Sequence, residues 1–466
     1  MVFVDNTSKS LDKLTAALSE TNLAVLRFEP GISSVLVHPG ITAASAQATG
    51  AALAENTKSF HCFFNDMHFH NHIAHHLLAL YSLGASPSVI KAAFENEAPD
   101  QRPTLKPVEE ILNEGNWTDH LGDDKYYPNY LSFFSSEVRR LGAFEAVKHY
   151  LFHQVKGDML DRSLSGIYHP SLWGYGLEFG VDAIVAEGLA IAAVHNTQLV
   201  GLRLSELIIT ANDDSKGSKP ETPKLDLSFQ ATVQKLREGE VAGQERRPAA
   251  GLTAFERVSL EEVCEKKSNE LLHWTDQWIF SSNSEWSEIV EKTEELLWLV
   301  VAMYASSYQP GPSPRTLDFG LMHCVTSFIF LPTILRILDK GSQKTILISF
   351  FRSVLALWIA QGRPPLNLAK ELRPKETDVE VDSKRNWQSI ITSAAMHPDE
   401  HTTKTIRTLV WASQTFGRAP KGVYSSGLPG SDELDGSIFY QTAVKTLDKH
   451  EWNHDLKHGR IPFKWY

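Results

Sequence analysis

Cysteine is scarce in this 466-residue chain: Cys62, Cys264 and Cys324 are its three, an odd number far below a disulfide framework. Small stapled secreted scaffolds are therefore excluded, and a reducing, intracellular and cytoplasmic address is expected. Positive charge is in deficit too. With a net charge of −11 and an isoelectric point near 6.0, no surplus of Lys and Arg exists to neutralise phosphates, so nucleic acid is not an expected partner. Long apolar runs are missing: LLWLVVAMYA at 296–305 covers only half of the ~20 residues a bilayer-spanning helix needs. No membrane span is expected. The opening MVFVDNTSKSLDK reaches Asp5 before a secretory leader can develop.

Several catalytic signatures are also absent. No G-x-S-x-G, Walker sequence or CxxC occurs, which removes nucleophile-elbow hydrolases, P-loop NTPases and thiol redox proteins. GYGLEFG at 174–180 has the spacing G-x-G-x-x-x-G with no strand before it, so it reads as close helix packing and not as a dinucleotide fingerprint. HPD at 397–399 fits the H-x-D half of a facial iron triad, but that triad normally sits on a β-jelly roll, and strand alternation is scarce here.

What is present is apolar periodicity at three and four. Residues 10–22, 130–154, 259–274, 287–305, 345–362 and 402–417 all carry it, the last two ending in Gly as helix C-termini commonly do. The expectation is an all-α, large multi-helix, single-lobe enzyme fold spanning 1–466 as one domain. Short extended pieces are conceivable near VLRFEPG and VLVHPG. The polar stretch ANDDSKGSKPETPK, 211–224, reads as a flexible insertion, with a second soft segment at 238–251.

Histidine is abundant, and HFHNHIAHH at 68–76 holds five of the nineteen. Spacing places His68, His72 and His76 on one side of a helix start, with His75 beside them; two imidazoles at i and i+4 can share a metal ion. Ser86 then caps a further helix that has Pro87 in its first turn. A mononuclear site wants three or more ligands, so other helices must contribute. His323 lies in the apolar DFGLMHCVTSFIFLP, His169 precedes the Pro that opens another helix, and HPDEHTTKTIRTLVW repeats the pair with His397 and His401. Such inward-facing residues from several helices resemble the ligand rings of helical metalloproteins.

If Pro398 begins the last of these helices, His401, Lys404, Thr408 and Trp411 share one stripe that runs into the core. A buried Lys beside a His is ordinarily ion-paired, here with Asp399, Glu400 or a neighbour. The sharper alternative is a Lys404 carboxylated by carbon dioxide, since a carbamate can ligate a metal. Trp173, Tyr175 and Phe179 could stack on a flat polycyclic ligand, and ordinary core packing explains them equally well. His450, His454 and His458 are explained by a solvated tail helix.

Residues 70–103, with DFGLMHCVTS, HPSLWGYGLEFG, AEGLAIAAVH, NWTDHLGDDKYYPNYLSFF and HPDEHTTKTIRTL, resemble the questin oxidase-like family of fungal secondary metabolism, from about residue 60 to 417. One departure is visible: where the family often has a second His shortly after H-P-L, this chain has Trp173. The resemblance implies an oxidase that opens anthraquinone or related polycyclic polyketide rings. Family members are described as Baeyer-Villiger-like and sometimes NADPH-dependent; some look like non-haem iron dioxygenases.

The residues favour iron, because imidazoles are plentiful and no nucleotide fold is visible. The expected protein is an oxygenase that cleaves a carbon-carbon bond of a hydroxyanthraquinone, or inserts oxygen beside its carbonyl. Its partners are a small aromatic polyketide and dioxygen, and its cofactor is Fe(II) held by several of His72, His76, His169, His323 and His401, with Lys404 contributing as a carbamate and His401 and Lys404 acting at the reacting centre. Two alternatives stay open: an NADPH-dependent Baeyer-Villiger monooxygenase, and a non-catalytic helical protein that holds a polyketide.

Overall fold

In the computed structural model the described residues are 35–212, 260–361, 366 and 385–453, apart from 67, 155, 166–169, 198, 277, 279, 281–284, 308–315, 424–429 and 450. The predicted helix at 10–22, most of the polar insertion at 211–224, the segment at 238–251, VLRFEPG, His169 and the tail histidines lie outside them. The chain divides into two compact units, one of residues 1–197 with 332–337, the other of residues 198–331 and 338–466.

In the first unit, α1 (Ala43–Ser59) starts at a capping box made by Thr42 and Ser45. α2 (Ile73–Ser82) is buried along its whole length, which is why IAHHLLALYS shows no polar face. α3 (Pro87–Glu97) starts as predicted, with the Ser86 hydroxyl accepting from the Val89 N–H and Pro87 in the first turn. The periodic stretch 130–154 is not one helix. α4 (Tyr127–Leu141) stops where Gly142 takes φ +86°, a conformation costly for side chains with a Cβ, and a short helix and a π-helical turn follow.

α5 (Pro170–Phe179) and α6 (Asp182–Val194) then pack closely. A Cβ on Gly176 would lie 2.5 Å from the Val185 nitrogen, and one on Gly188 would lie 2.5 Å from the Trp173 nitrogen. Within GYGLEFG, Gly176 thus serves helix contact, as the spacing suggested, while Gly180 takes φ +66° just past the end of α5.

The second unit is also helical. α7 (Leu204–Asn212), α8 (Leu260–Lys266), α9 (Ser268–Thr275) and α10 (Trp286–Ser306) come first. The run LLWLVVAMYA forms the buried end of α10, whose first turn is exposed at Trp286. A three-residue strand, β1 (Thr316–Asp318), leads into α11 (Phe319–Phe328). α12 (Lys340–Ala360), α13 (Trp387–Ala395), α14 (Glu400–Phe416), α15 (Ser437–Asp448) and β2 (Glu451–Asn453) complete it.

β1 and β2 pair in parallel over three residues, the only named strands among the described residues. VLVHPG forms no strand. By length and composition α12 could cross a bilayer, but 89% of its apolar window is buried in the protein. Its Arg352 guanidinium donates to the Leu202 carbonyl at 2.8 Å and to Asp276 at 2.8 Å, so α12 has the place of a core helix.

Candidate functional site

α14 is an unusual core helix. Thirteen consecutive residues, Glu400 to Ala412, are buried, and among them are Glu400, His401, Lys404, Arg407 and four threonines. Apolar burial of Ile406, Leu409, Val410 and Trp411 is worth about 1.5–3 kcal/mol each at most. The polar groups oppose it unless they are satisfied. Some threonines bond back into the helix: the Thr405 hydroxyl donates to the His401 carbonyl at 2.7 Å and that of Thr408 to Lys404 at 3.3 Å. Thr403 tethers α13 through the Ala394 carbonyl at 2.8 Å. Arg407 lies over the Phe330 ring at 5.9 Å.

The first turn sets the imidazole. The helix begins at Glu400 and not at Pro398, and the N-cap Asp399 accepts the His401 backbone N–H through Oδ1 at 3.0 Å, with the same oxygen 2.9 Å from His401 Nδ1. Glu400 Oε1 is 3.0 Å from the same nitrogen. Facing two carboxylate acceptors, Nδ1 carries a hydrogen, which leaves Nε2 as the nitrogen open to a ligating role. Asp399 Oδ2 accepts from the Thr402 hydroxyl at 3.1 Å and lies 3.6 Å from the Lys449 ammonium.

A second imidazole meets this one from α11. His323 Nδ1 lies 2.7 Å from the Phe319 carbonyl oxygen, which can only accept, so this ring also has its hydrogen on Nδ1 and its lone pair on Nε2. The His323 and His401 ring centroids are 5.2 Å apart, and Phe319 packs edge-on against both, at 4.6 and 4.8 Å. Both rings are buried, and Asp318 fixes the start of α11 by accepting the Leu321 N–H at 2.9 Å.

Metal-ligating histidines usually give their other N–H to a carboxylate or a backbone carbonyl, and this pair shows both forms. Asp399, Glu400 and His401 also gather three donor atoms within 4.8 Å. A cation among them would have to displace the Nδ1 hydrogen and face Lys449, so Nε2 is the nitrogen that a metal could take. Imidazole nitrogens are donors that suit Fe(II), and the donor chemistry of the pair fits that ion.

The first unit treats its histidines differently. His68 does not share a helix face with His72 and His76. It precedes the helix at φ +60°, stacked on Phe63 at 4.8 Å. An antiparallel bridge between Phe63 and His70 keeps this segment extended until the Asn71 side chain accepts the Ile73 N–H at 3.0 Å and opens α2. His72 is the N-cap residue, and its carbonyl accepts the His76 N–H at 2.9 Å. His76 Nδ1 bonds to Glu97, which ties α2 to α3. His75 packs against Tyr175 at 5.7 Å.

Periodicity gave no sign of His61 and His195. His61 Nδ1 accepts the Phe63 N–H at 3.1 Å, and its Nε2 donates to the Asp124 carbonyl at 3.3 Å. His195, whose Nδ1 donates to the Asn196 carbonyl at 2.8 Å, is pushed down to about 4 by burial and stays neutral. Glu187 on α6 goes the other way: burial lifts its carboxyl to about 7, and the Thr57 hydroxyl offsets part of the rise.

The aromatic candidates fall in the same unit. Trp173 is buried in the α5–α6 seam with its indole N–H on the Ser163 hydroxyl at 2.9 Å. Tyr175 and Phe179 stack at 6.1 Å, and Tyr81 lies 6.1 Å from Phe179. Of the sequence-nominated set, then, the structure brings together His323 and His401, with Lys404 one turn along α14; His76 is on α2, and His72 is its N-cap residue.

A profile of the questin oxidase-like family matches residues 69–409, and the chain belongs to that family. It is 26% identical over 401 residues to a Baeyer-Villiger oxidase of Pestalotiopsis microspora, covering 84% of this chain and 86% of the relative. The questin oxidase of Aspergillus fumigatus is 26% identical over 415 residues, 86% of this chain and 88% of that one. A Baeyer-Villiger monooxygenase of Cryptosporiopsis is likewise 26% identical, over 419 residues, 88% and 90% of the two chains.

Proposed function

We propose that the protein is an oxygenase of fungal secondary metabolism that oxidatively opens a ring of an anthraquinone-type polyketide with dioxygen at a non-haem ferrous centre. The observation that carries this reading is the pair of buried imidazoles, His323 and His401, each with Nδ1–H engaged by an oxygen acceptor and Nε2 as the ligating nitrogen. Names borne by its relatives, questin oxidase and Baeyer-Villiger oxidase, support the oxidoreductase class and the substrate type.

When bound, Fe(II) would supply the activation of triplet dioxygen that closed-shell aromatic substrates otherwise resist. His323 and His401 would hold it, and Lys404, buried one turn beyond His401, would contribute as a carbamate. Asp399 and Glu400 hold the hydrogen on His401 Nδ1. Phe319 packs against both rings, which are buried.

The stoichiometry separates this mechanism from the alternative of an NADPH-dependent Baeyer-Villiger monooxygenase. A dioxygenase places both oxygen atoms in the product and needs no external reductant. A monooxygenase inserts one atom and reduces the other to water with two electrons from NADPH.

The test is turnover of a hydroxyanthraquinone by anaerobically iron-loaded protein given labelled dioxygen and no NADPH. Ring-opened product carrying two labelled oxygens, lost on chelation, is expected. Turnover that demands NADPH and survives chelation would transfer the assignment to the monooxygenase, and pigment binding without oxygen consumption would make the protein a carrier.

A further inference from the structure

We infer that Lys449 is a positioning residue for His401, acting through Asp399 and Thr402; this rests on the reading of His401 as a metal ligand. Lys449 caps the C-terminal end of α15 and lies beyond the residues 69–409 that match the family profile. Its ammonium donates to the Thr402 hydroxyl at 2.7 Å and stands 3.6 Å from Asp399 Oδ2. Side-chain exposure is 2% for Lys449 and 5% for Asp399, so solvent screening cannot dilute the pair.

The geometry makes Asp399 a fully committed carboxylate. Oδ1 takes the backbone N–H and the ring N–H of His401, and Oδ2 takes the Thr402 hydroxyl with Lys449 beside it. A carboxylate has about four lone-pair sites, and four donors now surround this one. Rotation about its Cβ–Cγ bond would break contacts at both oxygens, and the Lys449 clamp is what makes the Oδ2 side resist. His401 then stays in the Nδ1–H form with Nε2 oriented.

A buried ion pair is weak support for stability, because desolvation of both charges offsets their attraction. Its service here is orientation. Burial lowers the lysine's affinity for its proton, while Asp399 and Glu400, the acids that face it, favour the ammonium.

The experiment uses full-length, metal-free protein labelled with 15N-histidine. The His401 signal is assigned by its loss in His401→Gln. In the native protein His401 is expected as the Nδ1–H tautomer; in Lys449→Met, which keeps the length of the side chain, it shifts toward Nε2–H, while Lys449→Arg keeps the native pattern. Co(II) affinity should fall about 10–100-fold in Lys449→Met and recover in Lys449→Arg, the usual size of an outer-shell effect.

An unchanged tautomer and unchanged Co(II) affinity in folded Lys449→Met would overturn the proposal. Should that variant fail to fold, Thr402→Val removes the hydroxyl that links the lysine to Asp399 and must shift the tautomer in the same direction; no shift there overturns the proposal equally. Native protein that binds no Co(II) yet shows the tautomer shift would defeat the metal reading and leave the positioning role standing.

Discussion

Both units of the chain bury histidines, and they do so in opposite ways. In the first, His61 is held at both ring nitrogens by backbone groups, His76 braces α2 against Glu97 on α3, and His195 is kept neutral by burial. In the second, His323 and His401 have Nδ1 tied to an oxygen acceptor and face each other at 5.2 Å. His61, His76 and His195 thus have bracing roles, whereas the sparse pair has an arrangement that a ligating site could use. What occupies the other ring nitrogen is the feature that separates a candidate ligand from a bracing histidine.

The sharpest way to break this contrast is to truncate one imidazole of each kind. His323→Ala or His401→Ala should weaken Fe(II) binding by more than the ~100-fold upper figure for outer-shell changes, measured by equilibrium competition against a chelator. His76→Ala should leave metal content unchanged and cost about 1–3 kcal/mol of unfolding free energy through the stranded Glu97 carboxylate, read by urea denaturation.

Glu187 predicts an effect confined to the first unit. Burial raises its folded-state pKa to about 7 from the usual 4.5, so the native state binds more protons than the unfolded state in that window. Stability is therefore full below about pH 4.5 and is lost as pH rises through about 7, by on the order of 3 kcal/mol for this group alone. Glu187→Gln should remove that slope in urea melts between pH 5 and 8. A slope unchanged in the variant would show that another group causes it.

A smaller effect is expected at the α5–α6 seam. Gly188→Ala should cost about 1–3 kcal/mol by overpacking Trp173 and should lower the thermal midpoint without changing metal content.

Much of the helical frame was legible in the sequence. The periodic segments ending near residues 306, 360 and 416 are α10, α12 and α14 to within a few residues, and the Ser86–Pro87 start is as predicted. The stripe His401, Lys404, Thr408 and Trp411 is buried as its apolar company implied.

What escaped was set by local exceptions and by distance along the chain. Periodicity does not register the Phe63–His70 bridge, so it placed His68 on a helix that starts only at Ile73. It ran 130–154 through the left-handed Gly142. Proline suggested the start of α14, yet the cap is the carboxylate one residue later, and that residue also orients His401. The lysine at Asp399 comes from Lys449, on an element far along the chain, and no spacing rule joins them.

The central claim is that His323 and His401 form the ligating pair. It is tested most directly by elemental metal analysis of anaerobically iron-reconstituted protein across the native chain and the Ala variants of His72, His76, His169, His323 and His401. About one iron per chain in the native protein, lost in His323→Ala and in His401→Ala and retained in His76→Ala, is the predicted result. Iron retained in His401→Ala, or none bound by the native chain, would contradict it.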